Sequence, residues 1–330
     1  MATPLLSINN LAVSFRTEEG EVTPVRGVSL ELHSNETLAV VGESGSGKSV
    51  TSLATMGLLP QPAGRVSAGS INYRTRSGEV IDLAKAPRKT IEKLRGAEIA
   101  MIFQEPMTSL NPVRTVGEQI AEAVRRHLGY DRQKAWNHAV DMLSLVEIPD
   151  AARRASDYPH HMSGGMRQRV MIALAIACKP ALLIADEPTT ALDVTIQAQV
   201  LALLDRLRAE IGMGVLFITH NLGVVAEIAD RVTVMYSGEV VESSPVRDVF
   251  YSPRHPYTRA LLECMPSRAV RDESGRRIVR SIPGQVSRVE QGCAFAPRCA
   301  FALPACTTTT PILETDDNRQ MRCLRWKELA

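Results

Sequence analysis

The sequence Gly-Glu-Ser-Gly-Ser-Gly-Lys-Ser at residues 42–49 constrains this chain more than any other feature. An apolar run, residues 38–41, comes directly before it, and a helix-compatible stretch, residues 50–58, follows it. This order is typical of a phosphate-binding loop, which needs a buried strand before it and a helix after it. Glycines let the backbone N–H groups point into one concavity, and the helix adds its positive dipole end. The segment, called the phosphate loop below, predicts a nucleoside triphosphate site.

Two side chains of the phosphate loop have distinct expected roles. Lys48 is expected to reach the β- and γ-phosphates, and the hydroxyl of Ser49 is expected to bind Mg²⁺. The other residues of the loop are expected to contribute to phosphate binding, and they are Gly42, Glu43, Ser44, Gly45, Ser46 and Gly47.

The composition narrows the class of protein. A chain of 330 residues has room for one large core and a smaller appendage. The net charge of +2 gives no reason to expect nucleic acid as a partner. The longest apolar run, residues 170–178, is far shorter than the roughly 20 residues that span a bilayer. The first residues lack a basic region followed by an apolar core, so we expect no secretion signal and a cytosolic location.

Periodicity predicts an α/β fold with a mainly parallel sheet covered on both faces. An N-terminal antiparallel β-subdomain is expected from strands at 5–15 and 28–33 around a polar hairpin at 17–22. The pattern from 115 to about 146 is helical and predicts an inserted helical subdomain at about 105–165. Other expected strands are 36–42, 99–103, 181–185, 214–219 and the hairpin 231–236/239–242, and other expected helices are 165–178, 196–211 and 222–228. Past about residue 246 periodicity fades, which predicts a domain boundary between 1–245 and a loop-rich extension, 246–330.

Two further motifs carry chemistry. Asp186 and Glu187 close an apolar strand, so Asp186 is placed to hold Mg²⁺ and Glu187 to polarise an attacking water. Ser163, Gly164 and Gly165 open a helix and form a second, weaker anion site, although such a segment alone is also an ordinary cap. One chain has no obvious use for two γ-phosphate sites, this one and the phosphate loop. Two chains facing head to tail could instead each close the other's site.

With these motifs in this order, residues 5–245 resemble the ATP-binding cassette family, which implies a P-loop ATPase that binds ATP and Mg²⁺. By this resemblance, Gln104 senses Mg²⁺ and touches a transmembrane partner, and His220 contacts the γ-phosphate. Ser163, Gly164, Gly165 and Asp193 act on the ATP of a second chain. Phe15 is the candidate for stacking on adenine, with a plain core role equally open. The signature has Met162 and Met166 where the family usually has Leu and Gln, which leaves the serine and both glycines in place.

The extension, residues 246–330, resembles the C-terminal extension of ATPase subunits from bacterial oligopeptide and dipeptide importers, on residues 254–262 and 283–284. Four cysteines follow with the spacing Cys-x5-Cys-x6-Cys-x16-Cys, namely Cys293, Cys299, Cys306 and Cys323. In that subfamily such a cluster is associated with a [4Fe–4S] centre. Four thiolates would also suit zinc, and four thiols without metal remain a further reading.

These resemblances imply an ATP-hydrolysing subunit of a peptide importer, peripheral at the cytoplasmic face of the inner membrane. The expected partners are two transmembrane permease subunits, a second ATPase subunit (identical or a sister chain) and, indirectly, an extracytoplasmic solute-binding protein. The alternative is a soluble cassette ATPase acting on nucleic acid or ribosomes. An exporter ATPase is disfavoured by the C-terminal extension.

Overall fold

In the computed structural model, which describes residues 3–104, 109–190, 192–271, 275–286, 289 and 291–329, strands and helices alternate through most of the chain. The strands are β1 (Leu6–Thr17), β2 (Gly20–Leu32), β3 (Thr37–Val41), β4 (Gly64–Arg74), β5 (Val80–Asp82), β6 (Ile99–Ile102), β7 (Leu182–Asp186), β8 (Gly214–Thr219), β9 (Arg231–Tyr236), β10 (Glu239–Pro245), β11 (Val270–Arg271), β12 (Arg277–Ile278), β13 (Glu314–Asp316) and β14 (Arg319–Met321). The α-helices are α1 (Lys48–Thr55), α2 (Arg88–Leu94), α3 (Val116–Leu128), α4 (Arg132–Leu145), α5 (Ala151–Arg154), α6 (Gly164–Ile176), α7 (Val194–Ile211), α8 (Leu222–Ile228), α9 (Val246–Tyr251), α10 (Pro256–Glu263) and α11 (Pro304–Thr308). Single 3₁₀ turns cover Pro159–His161, Pro266–Arg268 and Ala296–Arg298.

The central sheet has the order β13-β14-β10-β9-β3-β8-β7-β6. Strands β6, β7, β8, β3 and β9 pair in parallel, whereas β10, β14 and β13 pair antiparallel at one end. Every residue of β3, β7 and β8 is buried, because helices cover both faces of a parallel sheet. The predicted mainly parallel core is therefore confirmed, within a sheet that is mixed as a whole.

A second sheet with the order β2-β1-β4-β5 is antiparallel throughout. The predicted start of its second strand at residue 28 is wrong, since β2 begins at Gly20. The polar residues expected to form a long hairpin loop continue the ladder instead, with Val22 opposite Phe15. The sequence did not predict strands β4 and β5 or helix α2. Their polar and apolar residues alternate too weakly to give a clear periodicity.

The stretch from 115 to about 146, predicted to be helical, consists of two helices, α3 and α4. Thr115 and Glu118 form a reciprocal capping box at the start of α3. Gly129 ends that helix in the left-handed conformation, and the side chain of Asp131 caps α4. Residues 105–108, the first of the predicted helical subdomain, lie outside the described residues. Across the described ranges, no helix is both long and apolar enough to cross a membrane.

The C-terminal extension packs against the strand that leads into the phosphate loop. Its strand β14 pairs with β10 and so lengthens the central sheet. Tyr257 and Phe295 share a buried cluster with Ala39 and Val41 of β3. The extension therefore contacts the part of the sheet that positions the nucleotide site, while the division at 245/246 stays a prediction.

Candidate functional site

The phosphate loop joins β3 to α1 and leaves no room for a side chain at two of its glycines. A Cβ atom at Gly42 would lie 2.1 Å from the carbonyl oxygen of Met235. A Cβ atom at Gly47, where φ is +95°, would lie 2.7 Å from the carbonyl oxygen of Pro24. Close backbone contact and left-handed geometry both require glycine. The loop is thus held in its curled shape by the neighbouring strands.

Lys48 lies at the centre of this curl. Its ammonium group donates to the carbonyl oxygens of Gly42 and Glu43, at 2.8 and 3.0 Å, and to Ser46 Oγ at 3.3 Å. The residue is only 5% exposed, and burial lowers the pKa of its amine although Glu187, Asp186 and Glu43 oppose that shift. The phosphate loop therefore wraps around a cation.

Asp186 ends β7 directly beside the first turn of α1. Ser49 Oγ donates to Asp186 Oδ1 at 3.1 Å, and Ser52 Oγ donates to Oδ2 at 3.4 Å. Burial raises the pKa of Asp186, against the effect of the hydrogen bond from Ser49. A buried carboxylate and a hydroxyl in contact are oxygen ligands of the type that Mg²⁺ prefers alongside phosphates. Their meeting agrees with the predicted metal roles of both residues.

Glu187 is held by three donors. Gln104 Nε2, Thr190 Oγ1 and His220 Nδ1 lie 3.1, 2.9 and 3.0 Å from its carboxylate oxygens. Burial acts to raise its pKa, but the hydrogen bonds from His220 and Thr190 prevail and the pKa lies below its ordinary value. Its φ of +48° is strained for a residue with a side chain. Glu187 is therefore an ionised carboxylate that can accept a proton from water.

The structure thus brings together six side chains that the sequence predicted for one site. They are Lys48, Ser49, Gln104, Asp186, Glu187 and His220. The contacts of Ser52 with Asp186 and of Thr190 with Glu187 were not predicted from the sequence. Ala191, which follows Thr190, lies outside the described residues. The individual roles remain predictions.

Of the residues predicted to contact the ATP of a second chain, Ser163 and Asp193 cap helices within their own chain. Ser163 Oγ accepts from the N–H of Met166 and caps α6, which begins with Gly164 and Gly165. Asp193 Oδ1 accepts from the N–H groups of Thr195 and Ile196 and caps α7. Their predicted contact with the partner's ATP stays a prediction.

Phe15 lies half-buried in β1. Its ring edge is 2.7 Å from the position that a Cβ atom would take at Gly64, and it packs on the core of the N-terminal sheet. Both readings of Phe15, adenine stacking and core packing, therefore stay open.

Glu43 has two partners that the sequence did not predict. Its backbone N–H donates to the hydroxyl of Tyr257 at 3.0 Å. Its carboxylate accepts from Arg298 Nη1 at 2.9 Å. Tyr257 belongs to a segment noted for its resemblance, but nothing in the sequence distinguishes Arg298 from its neighbours. The C-terminal extension therefore touches the phosphate loop directly.

The four clustered cysteines line one small cavity, here called the cysteine cavity. Its volume is about 20 Å³, and Cys293, Cys299, Cys306 and Cys323 all contribute to its wall. Within the described ranges, no three His, Cys, Asp or Glu side chains are close enough to form a ready metal site. The four cysteines thus line one cavity, whereas the predicted metal centre is not seen in their arrangement.

Two family models match the chain. The model described as "ABC transporter" matches residues 25–190. The model described as "Oligopeptide/dipeptide transporter, C-terminal region" matches residues 241–306.

Curated relatives resemble the chain over much of its length. A putative peptide import ATP-binding protein of Brucella melitensis is 54% identical over 333 residues, covering 99% of this chain and 98% of that protein. The glutathione import ATP-binding protein GsiA of Escherichia coli O157:H7 is 57% identical over 262 residues, covering 79% of this chain. The match spans only 42% of GsiA, so this chain corresponds to less than half of that protein.

Solved structures share the fold. A dimeric ATP-binding cassette in a post-hydrolysis state, bound to ADP and Pi, superimposes with a TM-score of 0.64 and 27% identity, covering 73% of this chain and 99% of that one. The structure of cbiO1 from Clostridium perfringens, described as part of the ABC transporter complex cbiONQ, gives a TM-score of 0.64 with 25% identity, covering 76% of this chain and 92% of that one.

Proposed function

The chain belongs to the ATP-binding cassette transporter family as an ATP-binding, ATP-hydrolysing subunit, and we propose that it powers the import of di- or oligopeptides or related small solutes. The observation that carries this proposal is the peptide-importer extension matched at residues 241–306. The names of the two relatives point the same way, since one imports peptides and the other imports glutathione, itself a tripeptide.

The proposed assembly has two of these ATPase chains, or one chain and a sister subunit, on the cytoplasmic face of the inner membrane. Two transmembrane permease subunits form the path, and an extracytoplasmic solute-binding protein delivers the solute. Each ATP is held by Lys48, Ser49 and Asp186 of one chain and by Ser163–Gly165 and Asp193 of the other. Closure on ATP and reopening after hydrolysis move the permeases between their two orientations.

The site geometry supports a hydrolytic role for Glu187. Asp186, Ser49 and Gln104 would hold a Mg²⁺, which would offset the negative charge of the phosphates. Glu187, ionised and aimed by His220, accepts the proton of the attacking water. Lys48 offsets the charge that develops on the phosphate oxygens.

Co-purification from membranes tests the proposed assembly. A tagged full-length chain, extracted in mild detergent, is expected to bring down two apolar permease subunits in fixed ratio to the ATPase. The same preparation is assayed for ribosomal RNA and ribosomal proteins. Enrichment of ribosomes or nucleic acid without permeases would support the alternative class and refute the import proposal.

We further propose that the cysteine cavity holds a [4Fe–4S] cluster. The donor set suits a cluster in number and chemistry, because four thiols line one space, although among the described residues no three of them lie close enough to form a ready metal site. Burial raises the thiol pKa of Cys293, Cys299 and Cys323, and neighbouring thiols add to the effect. Such thiols ionise when a metal centre stabilises the thiolates. The present volume suits about one water molecule, so cluster binding requires the surrounding loops to move apart.

A buried histidine also fits an anionic group in the cysteine cavity. His255 is 1% exposed and lines the cavity. Its Nδ1 accepts from the N–H of Tyr257 at 3.1 Å, and burial lowers its pKa to about 3, so the ring proton sits on Nε2. Within the described residues Nε2 has no hydrogen-bond partner, although the backbone of Arg322 lies beside the ring. A thiolate or sulfide in the cavity would give this donor an acceptor.

Metal analysis of anaerobically purified protein tests the cluster. About four iron atoms and four acid-labile sulfides per chain are expected, with broad absorbance around 400 nm. Cys299→Ser is expected to lose both, whereas the matched control Cys264→Ser, outside the cavity wall, keeps them. One zinc per chain, or no metal in wild-type protein, would refute the cluster and leave the ATPase assignment intact.

A further inference from the structure

The C-terminal extension reaches Glu43 of the phosphate loop by two separate contacts. From the geometry we infer that Arg298 and Tyr257 are positioning residues for the phosphate loop, which link ATP affinity to the state of the cysteine cavity. Both act through Glu43.

The first contact is a partly buried ion pair. Arg298 is 6% exposed at its side chain and Glu43 is 28% exposed, with 2.9 Å between Nη1 and Oε2. Nε of Arg298 donates to the carbonyl oxygen of Pro283 at 3.0 Å and Nη2 to that of Ile282 at 3.3 Å, and Nη1 also donates to the hydroxyl of Tyr236 at 3.4 Å. The guanidinium also lies over the ring of Tyr236, 5.8 Å from its centre. Because every side of the fork is engaged, Arg298 holds the Glu43 carboxylate in one place.

The second contact fixes the backbone of the same residue. The hydroxyl of Tyr257, which is fully buried, accepts the N–H of Glu43. The carbonyl oxygen of Glu43 accepts from Lys48 Nζ at 3.0 Å. A displacement of Glu43 therefore moves a hydrogen-bond acceptor of Lys48, the lysine predicted to bind the phosphates. Such a displacement is expected to change the affinity for nucleotide.

Both positioning residues are joined to the cysteine cavity. Arg298 directly precedes Cys299, which lines the cavity. Tyr257 donates its N–H to His255, another lining residue, and its ring lies tilted against that of Phe295 in the cavity wall, with 5.2 Å between the ring centres. A change in the cavity that shifts Cys299 or Phe295 is therefore transmitted to Glu43 through residues that are in direct contact or adjacent in the chain.

Steady-state kinetics of ATP hydrolysis test the positioning role. Arg298→Ala is expected to raise KM for ATP roughly 5- to 10-fold, at the lower end of typical coupling between sites, while kcat changes less than about twofold. Arg298→Lys, which keeps the charge but not the fork, should recover part of the affinity. Glu43→Gln should raise KM similarly, and adding it to Arg298→Ala should have no further effect.

The matched control is Arg280→Ala, which breaks an exposed ion pair with Glu263 in the same extension. It should leave KM unchanged. Tyr257→Phe, which removes only the hydroxyl, provides an independent variant should Arg298→Ala fold poorly, and it too should raise KM. Unchanged KM in folded Arg298→Ala and Tyr257→Phe, or an equal rise in Arg280→Ala, would overturn the positioning role without affecting the ATPase assignment.

The link to the cavity has its own test. Cys299→Ser is expected to raise KM for ATP in the wild-type background and to have little further effect in the Arg298→Ala background. Thermal unfolding of each variant verifies that it is folded at the assay temperature. Equal effects of Cys299→Ser in both backgrounds, or no effect in either, would overturn the link.

Discussion

Replacing Glu187 with glutamine is expected to lower steady-state ATP hydrolysis by about 10²- to 10⁴-fold, the range that a positioned general base supplies. Glutamine keeps the size of the side chain, and with its amide oxygen in the place of Oε2 it still accepts hydrogen bonds from Thr190 and Gln104, while its amide nitrogen faces Nδ1 of His220. It cannot take a proton from water. ATP affinity should therefore stay close to that of the wild type, and phosphate release under saturating ATP measures the loss.

The exposed carboxylate of Glu79 provides the control for this substitution. Glu79→Gln changes the net charge by the same amount and should leave hydrolysis unchanged. Retained hydrolysis in Glu187→Gln, at a rate near that of Glu79→Gln, would show that another group activates the water.

Lys48→Ala is expected to have the largest effect on nucleotide binding. The substitution removes the ammonium group at the centre of the phosphate loop and leaves the carbonyl oxygens of Gly42 and Glu43 without their donor. Loss of one partner of a buried charged contact costs about 2–5 kcal/mol, which corresponds to at least roughly 25-fold in Kd for ATP. Equilibrium titration with a fluorescent ATP analogue measures this weakening.

Lys89→Ala, at an exposed position of α2, is the matched control and should bind ATP like the wild type. Circular dichroism establishes whether Lys48→Ala is folded. A folded Lys48→Ala protein with wild-type affinity would contradict the placement of the triphosphate in this loop.

The buried elements of the core were predictable from sequence because their periodicity is strong. Strand β8 and helix α8 have the predicted bounds, 214–219 and 222–228, and the turn at Ser237 and Gly238 is where the sequence placed it. The N-terminal subdomain was harder, since β2 begins with polar residues that only cross-strand pairing makes into a strand. The extension was hardest, because its short elements are fixed by packing on β3 rather than by their own pattern.

In the nucleotide site, too, some contacts were predictable from the sequence and others were not. Asp186, Glu187, Gln104 and His220 follow strands of the parallel sheet, and the carboxyl ends of such strands converge at one edge. Their meeting could therefore be predicted. The contact of Arg298 with Glu43 joins residues 255 positions apart, and no spacing rule connects them. Only the fold reveals that the extension holds the phosphate loop.

The most direct test of a site shared between two chains is the mass of purified Glu187→Gln in solution, with and without Mg-ATP. Blocked hydrolysis should trap two molecules around two ATP, so ATP should convert the protein to twice the mass of one chain. Ser163→Arg, which places a bulky side chain at the signature, should prevent this dimer without lowering ATP affinity of the monomer. A Glu187→Gln protein that binds ATP and keeps the mass of a single chain at every concentration would contradict the shared site.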